Sequence, residues 1–131
     1  MQIGTVVVVA TGRPWTGVPE ELRELPGMDY ALTANGARII ETRTGKVLEE
    51  HLLSKEAAKK AIAIGRKYDT LLEVYFDGQG YAQKDEIAQV RKYHKNPNMW
   101  DYFLRTRIAV DRLEDLLDEK EGNLDKVQML F

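Results

Sequence analysis

The sequence predicts an α/β protein in two parts: a short strand–helix–strand segment built on a parallel sheet, then a larger α+β part with an antiparallel sheet. Three observations predict it. Residues 5–10, TVVVVA, are consecutive β-branched residues without polar alternation, the pattern of a parallel strand covered on both faces. A helix signal and a second short strand follow before Asn35-Gly36, and that order implies a right-handed crossover in a parallel sheet. Beyond Asn35-Gly36, apolar runs are separated by short glycine turns and amphipathic helices, as in hairpin-based antiparallel folds.

Taken in order, residues 16–25 read as a short helix. Thr16 or Gly17 is its cap, Pro19 lies in the first turn, and Glu20 and Glu21 suit the positive end of the helix dipole. Pro26-Gly27 stops it, residues 30–33 form the second strand, and Asn35-Gly36 is a turn. Residues 37–42 and 46–52 flank an expected hairpin with Gly45 at positive φ. Residues 54–68 read as a helix capped by Ser54, with Ala58, Ala61, Ile62, Gly65 and Tyr68 on one face. Residues 71–76 form a strand that DGQG turns back toward Tyr81, and residues 85–94 a helix ended by Asn96-Pro97. Residues 106–110 are a short strand. Asp111 starts another helix with Glu114 as capping-box partner and Leu113, Leu116 and Leu117 inward, and Gly122 ends it. Residues 124–131 alternate as a last strand.

The chain has 131 residues, 44% of them hydrophobic and 31% charged, enough to bury about two-thirds of the unfolded surface in one core-sized unit. Nineteen basic against 21 acidic residues give a net charge of −2, without the basic excess of a general nucleic-acid binder. There is no cysteine, which excludes thiol nucleophiles and thiolate metal sites. The two histidines, His51 and His94, are far apart and read as polar surface residues. No apolar run approaches the ~18 residues of a membrane span, and nothing frames the valine run as a signal peptide. A cytoplasmic protein is the default expectation.

The chemistry concentrates where the valine run ends, at Thr11-Gly12-Arg13-Pro14. Ligands bind in the crevice beyond the carboxyl ends of parallel strands. There a threonine offers a hydroxyl donor, a glycine lets a phosphoryl group approach the backbone, and an arginine adds charge and forked donors. By itself a Thr-Gly after a strand is an ordinary turn, and Arg13 serves equally well to solvate a helix start. Trp100, Tyr102 and Phe103 read as packing or as an exposed partner surface, with a substrate-selecting patch as the alternative.

The stretch VVVVATGRPWTGVPEELRELPGMDYALTANGARII resembles the second motif region of the haloacid dehalogenase-like superfamily, in its Cof-type phosphatase branch. There a buried strand ends in Thr-Gly-Arg-Pro, and a later strand runs into an Asn-Gly-Ala turn that leads to a cap domain; the matching landmarks here are Thr11–Pro14 and Asn35–Ala37. RTGKVLEEHLLS resembles the opening hairpin of that cap and LDKVQMLF a later cap strand. The resemblance implies a remnant of a Rossmann-like parallel core over residues 1–36 and an α+β cap domain with an antiparallel sheet over residues 37–131.

It also implies hydrolysis of a phosphate ester through an aspartyl-phosphate with Mg²⁺ bound. Thr11, Gly12 and Arg13 would bind the substrate phosphate, and Asn35 and Gly36 would touch substrate or form the hinge. The partner implied is a small phosphorylated metabolite, a sugar phosphate or phosphorylated cofactor, with no role for nucleic acid or membrane. The Asp-x-Asp nucleophile motif and the Gly-Asp-x-x-x-Asp metal motif of that branch do not occur in these 131 residues. The expectation is therefore a fragment that is inactive alone and holds no tightly bound Mg²⁺. A homo-oligomer or strand-exchanged dimer is expected to cover its open strand edges. The alternative is a non-catalytic, truncated cap module that self-associates.

Overall fold

The computed structural model describes residues 4–131. The chain forms two compact units, Met1–Leu52 and Leu53–Phe131.

The first unit is a four-stranded sheet in the order β1-β2-β3-β4, with β1 Val7–Ala10, β2 Met28–Thr33, β3 Arg38–Glu41 and β4 Val47–Glu50. β1 and β2 run parallel, Val8 beside Tyr30 and Ala10 beside Leu32. The expected helix contracts to a 3-10 turn, Trp15–Gly17, and a single turn α1, Glu20–Arg23. Pro19 takes the N-cap position without a side-chain bond, and Gly27, at φ 83°, turns the chain into β2. Gly45 sits at φ 70° in the β3–β4 hairpin, as its position demands.

Two expectations change in this unit. The valine run is not covered on both faces: Val6 is 68% and Val8 45% exposed. β1 is an edge strand among the described residues, and only its Val7 and Val9 side is half-covered. The compact units also divide after Leu52 and not after Gly36, because β3 pairs with β2 (Ala31 opposite Ile40) and so carries residues 38–50 into the sheet of β1.

The second unit has the sheet order β7-β6-β5-β8, with β5 Leu71–Phe76, β6 Gln79–Gln83, β7 Arg107–Val110 and β8 Lys126–Leu130. Asp77 and Gly78, at φ 48° and 77°, make the tight turn between β5 and β6. One face of the sheet, from Leu72, Val74 and Phe76, packs on Ala58 and Ile62 of α2 (Lys55–Gly65) and on Leu113 and Leu117 of α6 (Leu113–Glu119). Ser54 caps α2 by accepting from the Ala57 amide at 3.2 Å. The other face, from Leu71 and Ala82, packs on Val90 and Phe103.

Here too the structure corrects details. Residues 85–94 are two short helices, α3 Lys84–Ile87 and α4 Val90–Tyr93. Asn96-Pro97 starts a helix as well as ending one: Asn96 caps α5, Pro97–Thr106, by accepting from the Asn98 amide at 3.0 Å, with proline in the first turn where its missing N–H costs nothing. Tyr68 lies past the end of α2 and is 63% exposed. The Asp111–Glu114 capping box does not form, because Arg112 is the N-cap of α6.

At the centre of this sheet lies an ion pair. Arg107 Nε donates to Glu73 Oε1 at 2.8 Å, with side chains 6% and 0% exposed. The Tyr75 hydroxyl donates to the other Glu73 oxygen at 2.9 Å. Burial, and then the Glu73 carboxylate, push the Tyr75 pKa far upward, so the phenol keeps the proton it donates. The guanidinium lies 5.0–5.4 Å from the ring centroids of Tyr75, Tyr102 and Phe103. Gly80, register partner of Arg107, makes the room: a Cβ there would sit 2.7 Å from Arg107 Cδ. Removing one partner of a buried pair strands the other charge at a cost of about 3–5 kcal/mol, whereas apolar replacement of both is often neutral. Glu73→Leu is therefore expected to destabilise by about that amount, and adding Arg107→Met to recover most of it, as read by urea unfolding.

Candidate phosphoryl-binding site

Parallel pairing carries the ends of β1 and β2 to one level, and the loops that follow are stitched together. The Thr11 amide donates to the Leu32 carbonyl at 2.9 Å, Asn35 N–H to the Thr11 carbonyl at 3.2 Å, and Ala34 N–H to the Arg13 carbonyl at 2.8 Å. Thr11, Gly12 and Arg13 thus lie against Ala34 and Asn35, 23 residues apart in sequence for the pair Thr11 and Ala34 but adjacent in space.

Within the first loop, Arg13 N–H donates to Thr11 Oγ1 at 3.1 Å. With the hydroxyl oxygen acting as acceptor there, its hydrogen is left to donate, the polarity an anionic oxygen needs. The Arg13 guanidinium donates to the Gly17 carbonyl at 3.3 Å, which directs it along the loop. Gly12 has a steric reason: a Cβ there would fall 2.6 Å from Asn35 Oδ1. In the second loop Ala34, Asn35 and Gly36 all have positive φ, 49°, 60° and 90°. This left-handed run is cheap for glycine and asparagine and costs on the order of 1 kcal/mol for alanine. Ala34 is nonetheless buried, held by its bond to Arg13. Nothing in the sequence signalled Ala34, since alanine carries no mark of left-handed backbone.

The other sequence candidates lie elsewhere. His51 pairs with Glu49 at 2.9 Å on an exposed strand, and the His94 carbonyl accepts from the Trp100 indole at 2.6 Å. Phe103 is core, while Tyr102 lies beside Arg107. Among the described residues no group of three or more His, Cys, Asp or Glu could hold a metal ion.

The family model of the haloacid dehalogenase-like hydrolases matches residues 1–130. The chain belongs to that family. Among solved structures, a haloacid dehalogenase-like hydrolase from B. subtilis is 20% identical, with a TM-score of 0.66 over 92% of this chain and 47% of that one. A phosphatase of the same superfamily from Bacteroides thetaiotaomicron is also 20% identical, with a TM-score of 0.61 over 90% of this chain and 40% of that one. A subclass IIB sugar phosphatase is 18% identical, with a TM-score of 0.59 over 92% of this chain and 43% of that one. At such identities the likeness is one of fold, and this chain spans less than half the length of those structures. No curated protein matches it.

The contact between Gly12 and Asn35 can be tested directly. Gly12→Ala should displace the Asn35 carboxamide and cost about 1–3 kcal/mol. The expected NMR signature is a shift of the Asn35 side-chain amide, with the resonances of residues 53–131 unchanged.

Proposed function

We propose that this chain contributes the phosphoryl-holding loop of a phosphatase acting on a small phosphorylated metabolite, with Thr11, Gly12 and Arg13 as the phosphate-binding residues. The observation that carries the reading is the interlocked pair of loops at the carboxyl ends of two parallel strands, where Thr11 Oγ1 accepts from Arg13 and keeps its hydrogen to donate. In this role Thr11 donates to a phosphoryl oxygen. Gly12 lets the phosphoryl group approach the backbone, and Arg13 adds charge at the rim. Asn35 and Gly36 hold the facing loop, with the Asn35 carboxamide against Gly12, and either touch the rest of the substrate or act as the hinge. A sugar phosphate or phosphorylated cofactor is the substrate class, by likeness to the family. In the complete enzyme Mg²⁺ and an aspartate nucleophile supply the covalent chemistry; the sequence here contains neither aspartate motif.

Inorganic phosphate is the direct probe. It should shift the amides of Thr11, Gly12 and Arg13 saturably, and Thr11→Val should weaken binding about tenfold, the worth of one charge-assisted hydrogen bond. Shifts absent from that loop, or unchanged in the variant, overturn the assignment. The chain alone should show no Thr11-dependent turnover of an aryl phosphate with Mg²⁺, and calorimetry should find no stoichiometric micromolar Mg²⁺ site; either result to the contrary refutes the separation of the loop from the catalytic groups.

The open edge of β1 supports self-association by strand pairing. Burying a valine contributes about 1.5–3 kcal/mol. Val8 is exposed within the described chain, so Val8→Lys should abolish a dimer in sedimentation while leaving the fold intact. A monomer at high micromolar concentration would rule this association out.

A further inference from the structure

The first unit has a second concavity at the end of the sheet away from Thr11. It is bounded by Met28, the first residue of β2, and by Thr42, just past the last residue of β3, whereas Thr11 and Asn35 follow the strand ends on the other side. Its volume is about 670 Å³, within the range of small-molecule sites. The Thr42 hydroxyl and amide bond to the Met28 and Asp29 carbonyls, so the floor is tied down.

The unexplained group in its wall is Arg23. Among the described residues its guanidinium has one recorded partner, the Trp15 indole at 5.6 Å from the ring centroid, and its Nε is buried without an acceptor. Arg43, on the same cavity, is by contrast paired with Asp29 at 2.7 Å. A guanidinium is a rigid planar fork that meets two adjacent acceptors at once, and the Trp15 indole lies within cation–π distance of it. The charges around it argue against an anion: the lining contains three acids, Glu20, Glu24 and Asp29, and two arginines. A neutral ring with two neighbouring acceptors satisfies the fork without bringing negative charge to that rim. Leu25, Pro26 and Met28 supply apolar wall for a ring.

We propose that this cavity binds a neutral 6-oxopurine, with the Arg23 fork reading the O6 and N7 acceptors beside the Trp15 indole. Bidentate arginine to that edge is the commonest specific contact between a side chain and a base. An adenine ring replaces one of those acceptors with an amino donor that the fork cannot bond.

The test uses the 131-residue chain and two-dimensional NMR, with the Trp100 indole in the second unit as internal reference. Inosine should shift the Trp15 indole resonance saturably, at least about tenfold more tightly than adenosine, and leave Trp100 fixed. Adding a 5′-phosphate to inosine should give no tightening. Arg23→Lys, which keeps the charge and loses the fork, should erase the preference for inosine over adenosine. The proposal is overturned if Trp15 does not respond to inosine, if adenosine binds equally, or if the phosphate tightens binding tenfold. The ligand comparison stands even if the variant fails to fold.

Discussion

The parallel pairing of β1 with β2 is the constraint on which the candidate site depends. It places the residues after Ala10 and after Thr33 at one height, and three backbone bonds then join the two loops. Each functional feature is downstream of that register. Gly12 is needed because Asn35 is brought over it, and Ala34 tolerates left-handed backbone because its amide is claimed by Arg13. Strain of this kind persists where neighbours over-determine the geometry, and such over-determination gives the loop after β1 a preformed shape.

The second unit rests on a different balance. Its sheet is apolar on the α2 and α6 side, while its opposite face carries a charge pair completed by a phenol and framed by three rings. A buried ion pair gains little net stability over apolar packing. It does penalise wrong arrangements, because Glu73 needs both Arg107 and Tyr75 to be satisfied. At the helix edge Arg66 plays a related role, bonding Glu86, Gln83 and Glu114 while the Glu86 carboxylate also accepts from the Leu72 amide at 2.9 Å. α2, α3 and α6 are thereby joined through one side chain to the start of β5.

Family membership and this geometry are mutually consistent, and they operate at different levels. The family match speaks to the whole of residues 1–130, while the phosphoryl role of Thr11, Gly12 and Arg13 is a proposal supported by hydrogen-bond polarity and steric fit. The likeness to larger phosphatase structures is a likeness of fold, and folds of this kind carry their chemistry in loops. The polarity of the Thr11 hydroxyl is consequently the informative feature.

Much of this was legible in the sequence. β5 begins and ends at the predicted residues, Ser54 caps its helix, and Gly45 takes its left-handed turn, because each depends on local periodicity and on backbone preferences of single residues. Thr11-Gly12-Arg13 and Asn35-Gly36 stood out through their resemblance to motifs of the family. What tertiary structure alone decided was partnership. The valine run looked like a buried strand, but burial is conferred by neighbours, and among the described residues β1 has one neighbouring strand. Residues 38–50 joined the first sheet because β3 folds back on β2 through the Asn35-Gly36 turn, a turn the sequence signalled without showing which sheet the strand after it would join. Asp111 lost its cap to Arg112, and Ala34 took a conformation its type disfavours, since its hydrogen bond to Arg13 across 20 intervening residues outweighs a local preference of about 1 kcal/mol. The sequence by itself determined local elements such as β5 and the Ser54-capped helix, and it offered Thr11, Gly12 and Arg13 as candidates for holding a phosphate; the register between distant strands decided where the segments meet.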